Sequence, residues 1–140
     1  MSARQSDLWI DTRGPGLYEF TREVQGLTPE RRDGLMTLFV RHTSCSLLIQ
    51  ENADPAVQID LLAWLSRFVP SADDAAMRYL THRDEGPDDM PAHLKAAVLP
   101  VSLSIPVRDG RLMLGTWQGI YLFEHRARAH RRHVVLHFSD

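Results

Sequence analysis

The sequence predicts an α+β domain of mostly antiparallel β-sheet with two main helices. Three observations carry that expectation. Leu99, Val101, Leu103, Ile105 and Val107 alternate with other residues, the pattern of a half-buried strand. Asp109-Gly110 follows, a dipeptide that closes tight hairpins. The helical patterns sit together in the middle of the chain, so no βαβ alternation is expected and hairpin connections dominate.

Taken in order, residues 6–11 (SDLWID) form a strand that ends at the turn signal Gly14-Pro15-Gly16. Residues 17–25 (LYEFTREVQ) are rich in β-branched and aromatic residues and predict a second strand. Thr28-Pro29-Glu30 is a capping pattern, so 27–33 is expected to make a helical turn. LMTLFVRH (35–42) is a strand, and LLIQE (47–51) either pairs with it as a hairpin or continues it as one bent strand. Asp54 as N-cap and Pro55 at the first helical position open a helix with Val57, Leu61, Trp64, Leu65 and Phe68 at helical spacing. Pro70 ends it, and 73–80 predicts a further short helix. Glu85-Gly86-Pro87-Asp88 is a loop. Pro91 opens a second main helix, AHLKAAVL, with His93 in its first turn. After the hairpin at 109–110, residues 111–114 return as a strand, GTWQG (115–119) is a tight loop, and IYLFEH and HVVLHF are the last two strands.

The 140 residues suit one domain, 1–140, and 44% apolar content is enough for a core. A formal net charge of -2 argues against nucleic-acid or strongly basic membrane binding. The only cysteine, Cys45, can form no intrachain disulfide and no CxxC metal knuckle. Without a signal-peptide pattern or an apolar run near the ~20 residues of a membrane span, a cytoplasmic protein is expected.

The chemistry concentrates in THRDEGPDDMPAHLK (81–95), which holds His82, His93, Asp84, Glu85, Asp88 and Asp89 around Gly86-Pro87. A loop reversal between the two histidines can bring both rings to one point. Imidazole with carboxylate suits Zn, Fe, Ni or Mn, whereas carboxylate alone suits Mg or Ca. The alternative is a solvated acidic loop and helix cap with locally hydrogen-bonded histidines. His42 ends the strand 35–42, where a site-forming group would emerge. Cys45 reads as a small buried residue, since a nucleophile needs a base on its own face. Trp117 lies between Gly115 and Gly119, either where backbone approaches something closely or as a core anchor. In a regular strand Glu124 and His125 point to opposite faces, so only one of them can face a given site. Arg126, Arg128, Arg131 and Arg132 with His130 and His133 form a basic segment, 126–133. Its arginine forks match phosphate oxygens, and its lack of interleaved aromatics fits single-stranded nucleic acid poorly.

RHTSCSLLIQENADP, HRDEGPDDMPAHLKAAVL, SIPVRDGRLMLGTWQGIYLFEHR and HRRHVVL closely resemble, in the same order, the motifs of the YjbQ family. This is a small bacterial and archaeal family sometimes described as a secondary thiamine-phosphate synthase. The resemblance implies an α+β fold, a homotrimer, and a histidine-lined pocket for a metal or a sulfate-like anion. It places the motif histidines on His42, His82 and His93, and the acidic and amide groups on Glu51, Asn52, Asp88, Asp89, Gln118 and Glu124. His42, His82, His93 and Glu124 are then the expected catalytic residues. His42, His82, His93 and Asp89 are the expected ligands of a divalent metal, Zn or Mg. Asn52, Gln118, Arg126 and Arg132 are expected to bind substrate or phosphate. The implied reaction joins a pyrimidine methyl diphosphate to a thiazole phosphate with loss of pyrophosphate. A metal-dependent hydrolase and a non-catalytic trimer that binds metal or anion are the competing expectations.

Overall fold

The computed structural model describes residues 3–140. Eight strands, β1 (Ala3–Arg13), β2 (Gly16–Glu19), β3 (Gly34–Val40), β4 (Cys45–Glu51), β5 (Ser102–Arg108), β6 (Arg111–Leu112), β7 (Gln118–Glu124) and β8 (Ala129–Ser139), form two sheets. The five-stranded sheet has the order β1-β8-β3-β5-β6 and the three-stranded sheet the order β2-β7-β4. All the strand pairs are antiparallel. With helices α1 (Thr21–Gly26), α2 (Pro55–Phe68) and α3 (Asp89–Val98) the chain is α+β, as expected.

The core lies between the sheets. Met36, Leu38 and Val40 of β3, with Val134, Leu136 and Phe138 of β8, meet Leu47 of β4 and Ile120 and Leu122 of β7. β7 is buried from Gly119 to its end because both of its faces are covered. Ile120 and Leu122 enter the inter-sheet core, while Gln58 of α2 donates to the Tyr121 hydroxyl on the other side, 3.3 Å away. This alternation carries Glu124 toward the core and His125 toward the helices.

Several elements differ from expectation. Residues 21–26 are helix, not strand: Phe20 offers no side-chain cap, but fully buried Val24 anchors the turns to the core. The turn expected at 27–33 is therefore displaced, and α1 occupies the chain just before it. β3 and β4 are neither a hairpin nor one bent strand; residues 41–44 carry the chain from one sheet to the other. The helix expected at 73–80 is one short 3₁₀ turn, Ala75–Met77. α2 starts as expected, with Asp54 accepting from the Ala56 N–H. Of its apolar stripe only Leu65 is buried, while Trp64 and Phe68 stack on each other, each 57% exposed. Trp117 is no core anchor, being 62% exposed. The hairpin at 109–110 is present, with Asp109 and Gly110 both at positive φ. A Cβ on Gly110 would lie 2.7 Å from the Arg31 backbone nitrogen, so only glycine fits.

Candidate metal centre

α3 begins at Asp89, two residues ahead of Pro91. His93 therefore lies in its second turn, and Asp89 and His93 fall at i,i+4, neighbours on one helix face. The preceding loop turns at Gly86, at φ +100°, and brings His82 back over this face. Arg83 fixes the loop by donating to the carbonyls of Ala72, Met77 and Leu80.

Asp89 is the centre of the cluster and is only 2% exposed. Its Oδ2 lies 2.7 Å from His82 Nε2 and 3.2 Å from His93 Nε2. Its Oδ1 takes Arg126 Nη1 at 2.7 Å. Arg126 also donates through Nε to Asp88 Oδ2 (2.8 Å) and through Nη2 to the Glu85 carbonyl (3.1 Å). Burial pushes the Asp89 carboxyl up, but the His82 hydrogen bond and the Arg126 charge outweigh it and hold the group below the usual carboxylate range. The His82 ring is shifted up, chiefly by its hydrogen bond to Asp89.

One donor atom each from His82, Asp89 and His93 lies within 4.8 Å of the other two. Ligands around a tetrahedral ion with bonds of about 2.0–2.1 Å stand roughly 3.3 Å apart, so small side-chain shifts would suffice. His93 Nδ1 faces the Thr43 carbonyl at 2.8 Å, which fixes the proton there and leaves Nε2 as the ligand atom. Two imidazoles and one carboxylate are the donor set of a Zn-like ion rather than of Mg.

The structure places His42 in a different arrangement. Its Nε2 accepts from the His133 backbone N–H at 2.8 Å, so this nitrogen is not offered to an ion beside His82. Burial first, then the Arg132 charge, pushes this ring below its ordinary pKa. His42 and His93 nevertheless line one groove of about 570 Å³ with Phe39, Arg41, Thr43 and Val101.

Glu124 and Arg132 lie elsewhere again. Glu124 is fully buried and takes Arg132 Nε at 2.8 Å, the Thr12 hydroxyl at 2.7 Å, and the backbone N–H groups of His125 and Arg126. Arg132 is 3% exposed and also donates to the Ser44 carbonyl and hydroxyl. Glu124 and Arg132, expected as a catalytic and a phosphate-binding residue, thus meet in a buried ion pair whose partners are all protein groups. Asn52 and Gln118, expected to bind substrate or phosphate, are not gathered with these groups. They stand at the far end of β4 and β7, six residues or about 20 Å along β7 from Glu124. Gln118 Oε1 there accepts from the Gly115 N–H (2.7 Å), and Asn52 lies 3.5 Å from Glu19. Cys45 is fully buried with its thiol pushed up to about 12 by burial, so it supplies no thiolate.

Sequence reasoning missed Arg83, Thr43 and Thr12. Two of them could not be foreseen, since Arg83 and Thr43 act on or through main-chain carbonyls. Thr12 was legible in principle, because it follows Leu8 and Ile10 on the inward face of β1.

A family model described as UPF0047 protein YjbQ-like matches residues 6–140. The chain is 47% identical over 137 residues to a UPF0047 protein of Synechocystis sp., covering 96% of this chain and 90% of that one. It is 48% identical over 117 residues to the YjbQ protein of Salmonella typhimurium, covering 84% and 80%. Among solved structures it is similar to a conserved hypothetical protein from Thermus thermophilus, at TM-score 0.81 and 35% identity, over 94% of this chain and 97% of that one. No helix among the described residues is long and apolar enough to cross a membrane. The chain belongs to the YjbQ-like UPF0047 family.

Proposed function

We propose that this protein is a metal-dependent enzyme acting on a phosphorylated small molecule, with His82, Asp89 and His93 as ligands of one divalent ion. The observation that carries the proposal is the convergence of three donor atoms on one point at the head of α3. When bound, such an ion would act as a Lewis acid toward phosphoryl oxygens or lower the pKa of a bound water. Asp89 fixes both rings, Thr43 orients His93, and Arg126 holds Asp88 and Asp89 in register. A cavity of about 400 Å³ is lined by Arg126, Arg128 and His130 together with Asp84 and Glu85. Arginine at that position supports seating of a phosphate group. The apolar side of the groove at His93 suits the non-phosphorylated part of a substrate.

Cys45 is buried with its thiol pushed up and supplies no thiolate nucleophile, and the proposed chemistry is direct displacement of pyrophosphate or attack by water. The thiamine-phosphate reaction is the displacement candidate. The test is turnover of a panel of phosphate monoesters, and separately of the two phosphorylated thiamine precursors, with Zn, Mn and Mg. Product that disappears in His82→Ala and Asp89→Asn supports the proposal; equal trace turnover in wild type and both variants sinks it. We also propose a homotrimer. The exposed Trp9, Leu35 and Phe39 on the outer face of the five-stranded sheet support association. Sedimentation giving a single species of monomer mass would remove that part.

A further inference from the structure

α3 has a second working face. Pro91 and Lys95 form the neighbouring i,i+4 row, turned away from Asp89 and His93. This row borders a cavity of about 230 Å³ walled by Pro15, Val69, Pro91 and Ala127, reached by His125 and Lys95, with Asp88, Ser66 and Ser71 also in its lining. Two polar groups here have chemistry to spare. His125 is only 3% exposed, and its Nε2 lies 2.9 Å from Ser46 Oγ, which is itself fully buried. Nδ1 has no hydrogen-bond partner among the described residues. No buried side-chain polar atom among them lacks a partner, so Nδ1 must open onto space, and the cavity is the space His125 borders. In the tautomer in which the Ser46 hydroxyl donates to Nε2, the neutral ring carries its proton on Nδ1 and presents it to the cavity, and this is the tautomer the proposal uses. Lys95 is half-buried and makes no hydrogen bond or ion pair among the described residues. The other cation of this region, Arg126, is committed to Asp88 and Asp89.

We propose that this cavity is a binding site for a small organic monocarboxylate, its oxygens shared between the Lys95 ammonium and His125 Nδ1–H and its short apolar part against Pro15, Val69 and Pro91. A half-buried ammonium with no hydrogen bond or ion pair among the described residues, and an imidazole nitrogen that opens onto the same cavity, are groups whose hydrogen-bonding capacity a carboxylate takes up. The apolar walls exclude a large hydrated ion, and the Asp88 carboxylate, close enough to act on the Lys95 charge, disfavours a dianion such as phosphate. None of the proposed metal ligands, His82, Asp89 and His93, lines this cavity, although Asp88 in its wall is joined to Asp89 through Arg126.

The test is a titration of ¹⁵N-labelled protein with butyrate in the presence of EDTA, following the His125 ring nitrogens and the backbone amides of residues 66–69, 71 and 92–95. The expected result is a saturable shift of His125 Nδ1, weakened at least tenfold in Lys95→Met, with inorganic phosphate binding more weakly than butyrate. Lys95→Gln serves the same purpose should the methionine variant fail to fold. A His125 ring that does not respond, equal binding by the Lys95 variant, or tighter binding of phosphate at the same residues would each overturn the proposal.

Discussion

Two clusters of this molecule use the same chemical parts and do opposite things with them. Glu124, Arg132 and His42 sit between the sheets; Asp89, Arg126, His82 and His93 sit at the head of α3. Each has a carboxylate, a guanidinium and imidazole. In the first, the carboxylate accepts from two side chains and two backbone groups, and both ionic partners are at most 3% exposed. In the second, one carboxylate oxygen faces two ring nitrogens at once, and the His82 side chain is 44% exposed. A saturated, sealed ion pair holds elements together. An imidazole pair sharing one oxygen, within reach of solvent, can exchange its protons for an ion.

Breaking the sealed pair should have the largest effect on folding. Glu124→Gln leaves Arg132 a buried charge without its counter-ion and should cost about 3–5 kcal/mol, read from the urea midpoint. If the variant unfolds at the wild-type midpoint, the contrast between the clusters collapses. Asp89→Asn should act chiefly on binding, reducing affinity for added Zn at least about 100-fold by calorimetry, because it removes a ligand and not only an outer-shell partner. His82→Ala should lose metal similarly while leaving the urea midpoint near wild type, since its side chain is 44% exposed.

Acid should distinguish the sealed interior from the open cluster. Burial, with help from the Lys95 charge, pushes the His125 ring down to about 3. The unfolded chain then takes up a proton near 6.5 that the folded chain refuses. The stability this group contributes is fully present above about 6.5 and is lost as pH falls from there toward about 3, by at most ~1.4 kcal/mol per pH unit. His42 is shifted in the same direction. Urea midpoints measured between about pH 7 and about pH 5 should fall in wild type and fall less steeply in His125→Gln. Parallel slopes would show that His125 does not titrate as its burial demands.

Much of the framework was legible where local chemistry and tertiary structure agree. Asp54-Pro55 announced α2, and Asp109-Gly110 the β5–β6 turn. The alternation of β8 even carried unread information. Arg132 falls on the inward row with Val134, Leu136 and Phe138, so its burial followed from period two alone. What could not be read were decisions made by contacts distant in sequence. α1 has the composition of a strand, and burial of Val24 decides for helix. Residues 41–44 cross between sheets without any turn signal of their own. At the candidate site the gathering of Asp89 with two histidines depended on a two-residue shift in the start of α3. That boundary lies within the usual uncertainty of helix ends, yet it moved His93 onto the same row as Asp89. His42, His82 and His93 are alike as motif histidines, and only the fold reveals that a backbone N–H occupies His42 Nε2.

Everything proposed for the head of α3 requires one ion held by His82, Asp89 and His93 and not by His42. Titration of untagged, chelator-treated protein with Co(II), followed by visible absorption, tests this most directly. One equivalent per chain in wild type and in His42→Ala, with the signal abolished in His82→Ala, Asp89→Asn and His93→Ala, is the result expected. No stoichiometric binding in wild type, or loss of the ion in His42→Ala as complete as in His82→Ala, would contradict it.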